Sequence, residues 1–263
     1  MEMADIGRTI GETLIDSGCR RIILSGKSLF TLDSTREHLL NRYPEVDIRI
    51  CKCTADTFPN VEQAVLEAAS FYGTFNYVIN CQSLSRASAR PTADTSLDDF
   101  QEFLEISSRE VVEFTTVLKE KHLSLTILQL WMFCKAQISY FTSDSTCRAS
   151  IVNIIPYGNI GTHAGHPLQA ISSYSAVGMT KSVAQDLLHA HRIRLNAVCP
   201  GLTNGAMDKA LPSAERLKRG DGVGRLIDMR EVANVAVFMV GENASAIHGV
   251  VLPVDAGRCL THN

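Results

Sequence analysis

The chain predicts an α/β fold built on a doubly wound parallel sheet, and three observations carry that reading. Apolar runs of strand length alternate with stretches of helical periodicity from one end to the other. The strand candidates, among them RIILS, YVINC and SIVNII, are apolar without alternation, as befits strands buried on both faces. No repeat, linker or low-complexity tract divides the 263 residues, so a single domain, 1–263, is expected.

Taken in order, Ile6–Ser17 reads as a helix, with Ile6, Ile10, Leu14 and Ile15 on one face and Gly18 at the capping position. Arg21–Ser25 is a buried strand. Leu32–Arg42 is helical, and Pro44 follows its end. Val46–Cys53 is a strand, and Val61–Tyr72 a helix with Val61, Val65, Ala68 and Ala69 inward. Tyr77–Cys81 is a buried strand, Leu97–Leu118 a long helix and Ser150–Ile155 a further strand. A helix carrying Tyr174 follows, then the strand Arg194–Cys199, the helix Arg230–Val240 and a last strand, Val250–Val254.

Composition narrows the function. Hydrophobic residues at 45% and charged residues at 20% are the mix of a soluble globular protein. A net charge of −3 leaves no nucleic-acid footprint. The start, MEMADIGRTIGETL, has acidic residues and no long apolar core, so no signal peptide is expected. Leu123–Cys134 is the most apolar stretch, but it is too short, and too broken by Gln129, to span a membrane. The expectation is a cytoplasmic protein with neither membrane nor nucleic acid as partner. The eight cysteines show no paired-ligand spacing. Cys51 and Cys53 point to opposite faces of a strand, and His189 and His191 share no helical face. The cysteines read as buried small hydrophobes in a reducing compartment, with no metal site.

The most informative stretch is Ser172–Gly201, SSYSAVGMTKSVAQDLLHAHRIRLNAVCPG. Val177, Thr180, Val183, Ala184, Leu187, Leu188 and His191 recur at helical spacing, a buried strand follows, and Pro200-Gly201 ends it. This closely resembles the catalytic helix, the following strand and the Pro-Gly turn of the short-chain dehydrogenase/reductase family. YVINC stands at the family's Asn-Asn-Ala-Gly position, and Gly224–Gly257 looks like its last helix and last strand. The resemblance covers the whole chain. It implies a Rossmann-like fold, a nicotinamide cofactor, and hydride exchange with a small-molecule ketone or secondary alcohol in a homo-oligomer. A likeness to fungal biosynthetic members points to a substrate of specialised (secondary) metabolism.

The family holds its cofactor through a strand followed by TGxxxGxG, whose glycines let backbone approach a pyrophosphate at a helix N-terminus. Asp5-Ile6-Gly7 matches the last three positions, so Ile6 and Gly7 are implied contacts. The first strand and first two glycines have no counterpart. That strand lies mid-sheet in this fold. Unpaired backbone groups on its neighbours would cost about 1–3 kcal/mol each, against a net stability of about 5–15 kcal/mol. Either another segment fills the gap or the sequence as written is incomplete. At the end of the next strand an acidic residue selects NAD and a basic one NADP. Ser25-Gly26-Lys27 leans to NADP through Lys27, with NAD left open. Asn80, Pro200 and Gly201 match further cofactor positions. Thr203 stands two residues before the family's nicotinamide-binding threonine, whose place is taken by Gly205. Cys81, Gln82 and Ser83 replace the rest of the Asn-Asn-Ala-Gly motif.

The family's general acid/base matches Tyr174, which in the family is made more acidic by a lysine four residues on. Here that position is Gly178, and five residues of the family helix have no counterpart. Lys181, seven after Tyr174, shares its face but sits about 10 Å along the axis, against about 6 Å for residues four apart. The deletion also turns the helix by about 140°. If the later half keeps its packing, Ser173 stands where the lysine belongs. Pro156 occupies the place of the catalytic serine and Ser107 that of a relay asparagine. Two functions are therefore open: an oxidoreductase using Tyr174 and Lys181, or a non-catalytic copy serving as a binding or dimerisation module. Residues 123–148 read as an insertion, with three alternatives: a substrate lid or interface patch, an extended helix with a surface loop, or translated intron.

Overall fold

The computed structural model describes residues 3–81, 123–144, 146–155, 167–188, 192–201, 203–204 and 225–260. The expected helix Leu97–Leu118, and Gln82, Ser83, Ser107, Pro156 and Gly205, lie outside them. The elements are α1 (Met3–Asp16), β1 (Arg21–Gly26), α2 (Leu29–Arg42), β2 (Asp47–Lys52), α3 (Phe58–Tyr72), β3 (Tyr77–Asn80), α4 (Leu123–Thr142), β4 (Arg148–Ile154), α5 (Pro167–Asp186), β5 (Arg192–Pro200), α6 (Met229–Val240) and β6 (Val251–Val254).

Local chemistry sets several boundaries more sharply than periodicity does. Helix α2 starts at Leu29 because the Ser28 hydroxyl accepts from the Thr31 amide. Helix α3 starts at Phe58 because Thr57 accepts from the Asn60 amide, and it ends on Gly73 at φ 79°, a left-handed cap. Helix α6 opens with a capping box, Asp228 on one side and Glu231 on the other.

The strands form two parallel sheets. One has order β1-β2, the other β3-β4-β5-β6, and no ladder among the described residues joins them. In doubly wound order the position between β1 and β3 belongs to a strand preceding α1. Two helices hold the sheets together, one on each face. On the first face, Ile6 and Ile10 of α1 pack with Val152, Val198 and the α6 residues Val232 and Ala236. One turn further on, Ile15 packs with Ile22, Leu39 and Ile48 of the smaller sheet. On the second face, Leu130, Cys134 and Phe141 of α4 pack on β4 and β5. Met132 and Ala136 of the same helix pack with Cys51, Val61 and Val65.

The segment 123–148, expected as an insertion, is therefore no appendage. Its helix bridges both sheets between α3 and α5, and its last residue opens β4. An apolar helix flanked by apolar neighbours is driven into the layer by the surface it buries. A ring stack of Phe75 on Tyr140, with centroids 5.1 Å apart, seals its lower end.

Candidate active site

Within each sheet the strands run parallel, so their carboxyl ends share an edge, and ligands of doubly wound folds bind there, where the strand order reverses. At the end of β1, Lys27 is exposed and is followed by the start of α2, with its Ser28 cap. A cation beside open amides at a helix N-terminus suits a phosphate group. These residues fit the phosphate end of a dinucleotide.

The other predicted contacts are placed differently. The Ile6 side chain is wholly buried in the core between α1 and β4, and its amide comes fourth in α1, just past the open amides of the first turn. Gly7 lies within the helix, past those open amides, with space where a Cβ would sit. Asn80 is only 7% exposed, and its amide is fully used inside the protein. Its Nδ2 donates to Gln137 Oε1 (3.1 Å) and Asn153 Oδ1 (2.9 Å), and its Oδ1 accepts from Gln137 Nε2 (2.8 Å). Pro200 closes β5, and the Gly201 amide donates to the Val254 carbonyl at 2.8 Å, prolonging the ladder to β6. Thr203 is buried and forms an isolated parallel bridge with Ile227. These three hold the carboxyl edge of β5 against the entry to α6.

Helix α5 turns one face to the sheet, with Ser173, Ala176, Thr180 and Ala184 buried along it. Thr180 Oγ1 accepts from Asn153 Nδ2 at 3.2 Å, which sets it level with the end of β4. Ser173 and Tyr174 therefore stand about 10 Å beyond that level, above the strand ends. Tyr174, 48% exposed, and the exposed Lys181 both lie on the outer face of the helix, turned about 100° from Ser173 and Thr180 respectively. The structure thus puts the two predicted catalytic residues on a common face, but not the one packed on the sheet. The buried positions at the same height belong to Ser172 and Ser173, whose hydroxyls find no hydrogen-bond partner among the described residues.

Beneath the edge lies a polar network that periodicity did not single out. Asn153 Nδ2 donates to Thr180 and to Cys134 Sγ (3.6 Å), while its Oδ1 accepts from Asn80. Asn80, Gln137, Asn153 and Thr180 thus tie β3, β4, α4 and α5 into one rigid floor. The sequence does carry a signal for Gln137. It sits on the stripe Leu130, Cys134, Gln137, Phe141, where a polar residue at helical spacing needs a buried partner.

Burial pushes the thiols of Cys81 and Cys199, at the ends of β3 and β5, up to about 12. Both are protonated at neutral pH and serve as packing rather than as nucleophiles. All eight cysteines are free, and the described residues contain no cluster of three or more metal-ligating side chains.

The comparisons agree with this architecture. A family sequence profile described as enoyl-(acyl carrier protein) reductase matches residues 3–258. A short-chain dehydrogenase of Penicillium roqueforti, anuF, is 21% identical, covering 97% of this chain and 92% of its own length. A 3-oxoacyl-[acyl-carrier-protein] reductase of Bos taurus is 24% identical, covering 97% and 94%. Among solved structures, levodione reductase superposes with a TM-score of 0.78 at 18% identity, covering 97% and 93%. Actinorhodin polyketide ketoreductase with NADPH does so with 0.75 at 21% identity, again covering 97% and 93%. With parallel sheets, two helical layers and a match over nearly its whole length, the chain belongs to the short-chain dehydrogenase/reductase family.

Proposed function

We propose that this protein is an NADP(H)-dependent oxidoreductase that interconverts a ketone and a secondary alcohol, with a substrate from specialised metabolism. The observation that carries the reading is the carboxyl edge: on the smaller sheet, exposed Lys27 beside the open N-terminus of α2, and on the larger one, a floor made rigid by the Asn80–Asn153 network. Relatives support it. They include the fungal short-chain dehydrogenases and a polyketide ketoreductase crystallised with NADPH. Bound at this edge, the nicotinamide supplies or accepts the hydride. Lys27 and the α2 amides hold the adenosine phosphate, and the open amides of the first turn of α1, ahead of Ile6 and Gly7, meet the pyrophosphate. Tyr174 carries the proton to or from the substrate oxygen, and Lys181 on the same face supplies positive charge. The reading includes a homo-oligomer in the cytoplasm. No helix among the described residues is long and apolar enough to cross a membrane.

A second reading, a non-catalytic binding module, is favoured by one observation: Tyr174 and Lys181 lie on the outer face of α5, while Ser173 fills the sheet side. Titration calorimetry with NADPH and NADH, followed by turnover assays on a panel of ketones, separates the two. The oxidoreductase reading expects NADPH to bind more tightly than NADH, a preference erased by Lys27→Ala, and turnover abolished by Tyr174→Phe. Folded protein that binds neither cofactor, or turnover that survives Tyr174→Phe, overturns it.

A further inference from the structure

At the opposite end of the larger sheet lies a cavity of about 340 Å³, within the range of small-molecule sites. It opens at the amino ends of β3, β4 and β5, about 20 Å along β4 from the edge described above. Strand register builds its floor. Tyr77, Ser150 and Arg194 are partners on one rung of three adjacent strands. Side chains on one rung of a parallel sheet share a face. Ser150 and Arg194 both reach Met239 at the end of α6, so the rung faces that helix. One rung lower on the same face, Arg148 and Arg192 are register partners at the mouth.

The three arginines are not equivalent. Arg194 is fully engaged, donating to the carbonyls of Met239, Val240, Gly241 and Ile247 at 2.8–3.3 Å and so neutralising the carboxyl end of α6. The wall's carboxylate, Glu242, accepts from the Tyr77 hydroxyl at 2.9 Å. Among the described residues Arg148 and Arg192 have neither kind of partner, and no carboxylate there pairs with either guanidinium. Two like charges therefore start from adjacent strands about 4.8 Å apart. Such a pair repels in the empty protein and is relieved by an anion placed between the two forks.

We infer that Arg148 and Arg192 form an anion-binding site for a small metabolite carrying a dianionic group, a phosphate ester first, separate from the nicotinamide site. Two guanidinium forks side by side match the several oxygens of a phosphate, and each can bind in bidentate fashion. On the wall, the Tyr77 hydroxyl and the Glu242 carboxylate provide hydrogen-bonding groups for hydroxyls on the rest of the ligand.

The test is calorimetric titration of the full chain with inorganic phosphate and pyrophosphate at constant ionic strength. Saturable binding is expected, weakened at least about tenfold by Arg148→Ala and by Arg192→Ala. Arg192→Lys, which keeps the charge but loses the fork, should fall between. Arg36→Ala, whose side chain pairs with Asp33 on α2, should bind as the wild type does. Both sites take phosphate, so Lys27→Ala is run in parallel and should leave this binding in place. Absence of saturable binding, binding unaltered in both arginine variants, or binding lost only in Lys27→Ala overturns the inference. The arginines are exposed, so the variants should fold; far-UV circular dichroism and a melting curve check each one.

Discussion

Strands β4 and β1 are both parallel strands of one α/β chain, yet they live in different surroundings. Six of the seven residues of β4 are buried, whereas Ile22 alone is buried in β1. The composition of the two is similar, RASIVNI against RIILSG. The difference is neighbours. Among the described residues β4 is laddered on both edges, to β3 and β5, while β1 is laddered to β2 alone. Burial on both faces follows from company in the sheet as much as from apolar side chains. The stability of the molecule is accordingly concentrated in the four-stranded sheet, and the two-stranded unit depends on the helices α1 and α4 that reach across to it.

The largest expected effect breaks that comparison most directly. Ile151→Ala in β4 should cost about 2–5 kcal/mol in urea unfolding. Leu24→Ala in β1, at a half-buried site, should cost less than half as much. Native-state hydrogen exchange should show β1 and β2 opening at lower free energy than β4 and β5. Equal protection in both sheets would mean the division carries no energetic weight.

Next in size is the polar floor, which belongs wholly to the larger sheet. Asn153→Ala would leave one Asn80 N–H unpaired and remove the hydrogen bond to Thr180. Each buried group left unpaired costs about 1–3 kcal/mol. Gln137→Ala breaks both of its bonds to Asn80, leaving the Oδ1 and the other N–H unpaired, and should cost a similar amount. Additive losses in the double variant would show that the two bonds are not coupled.

The same contrast explains what the sequence made legible. Continuous apolar runs such as SIVNII and RLNAVC could be read as strands because their residues are buried on both sides, and the alternation with helices gave the parallel class. Helix starts were read one to three residues late where a single hydroxyl or carboxylate decides them, as Ser28, Thr57 and Asp228 do. Residues 123–148 looked like an insertion because an apolar helix with one glutamine has no strand beside it in sequence. Only the partner stripes on β2, α3 and β4 show that it bridges the sheets. The site was less legible than the fold. Ile6 and Asn80 match a binding pattern by position, but a core contact and an amide network claim their side chains. The exposure of Tyr174 follows from helical phase, which a motif read as letters does not convey.

Helix α6, packed against α1, offers a smaller test because its start is set by local charge. Asp228→Ala removes the cap accepted from Arg230 and should cost about 1 kcal/mol. Glu231, the other half of the box, has its carboxyl held at about 2 by Arg225 and by the Asp228 amide. Its folded value lies below the unfolded one, near 4.5. The stabilisation is therefore complete above pH 4.5 and is lost as pH falls through about 2. The melting-temperature gap between wild type and Glu231→Gln should be full at pH 6 and shrink toward pH 2.5. The group is largely exposed, so added salt should narrow the gap as well.

The smallest effect is the one whose sign matters. Ser173 is fully buried with a hydroxyl unpartnered among the described residues, and a methyl in its place removes a desolvation cost without opening a cavity. Ser173→Ala should leave stability unchanged or raise it by less than about 1 kcal/mol. A serine whose hydroxyl does nothing for the fold among the described residues, at the height of the strand ends where doubly wound folds bind ligands, is free to answer to one. If Ser173→Ala is stable but weakens NADPH binding or turnover, the inner face of α5 takes part in the site despite lacking the tyrosine. If it is stable and leaves both unchanged, the outer face with Tyr174 and Lys181 carries whatever chemistry this helix performs.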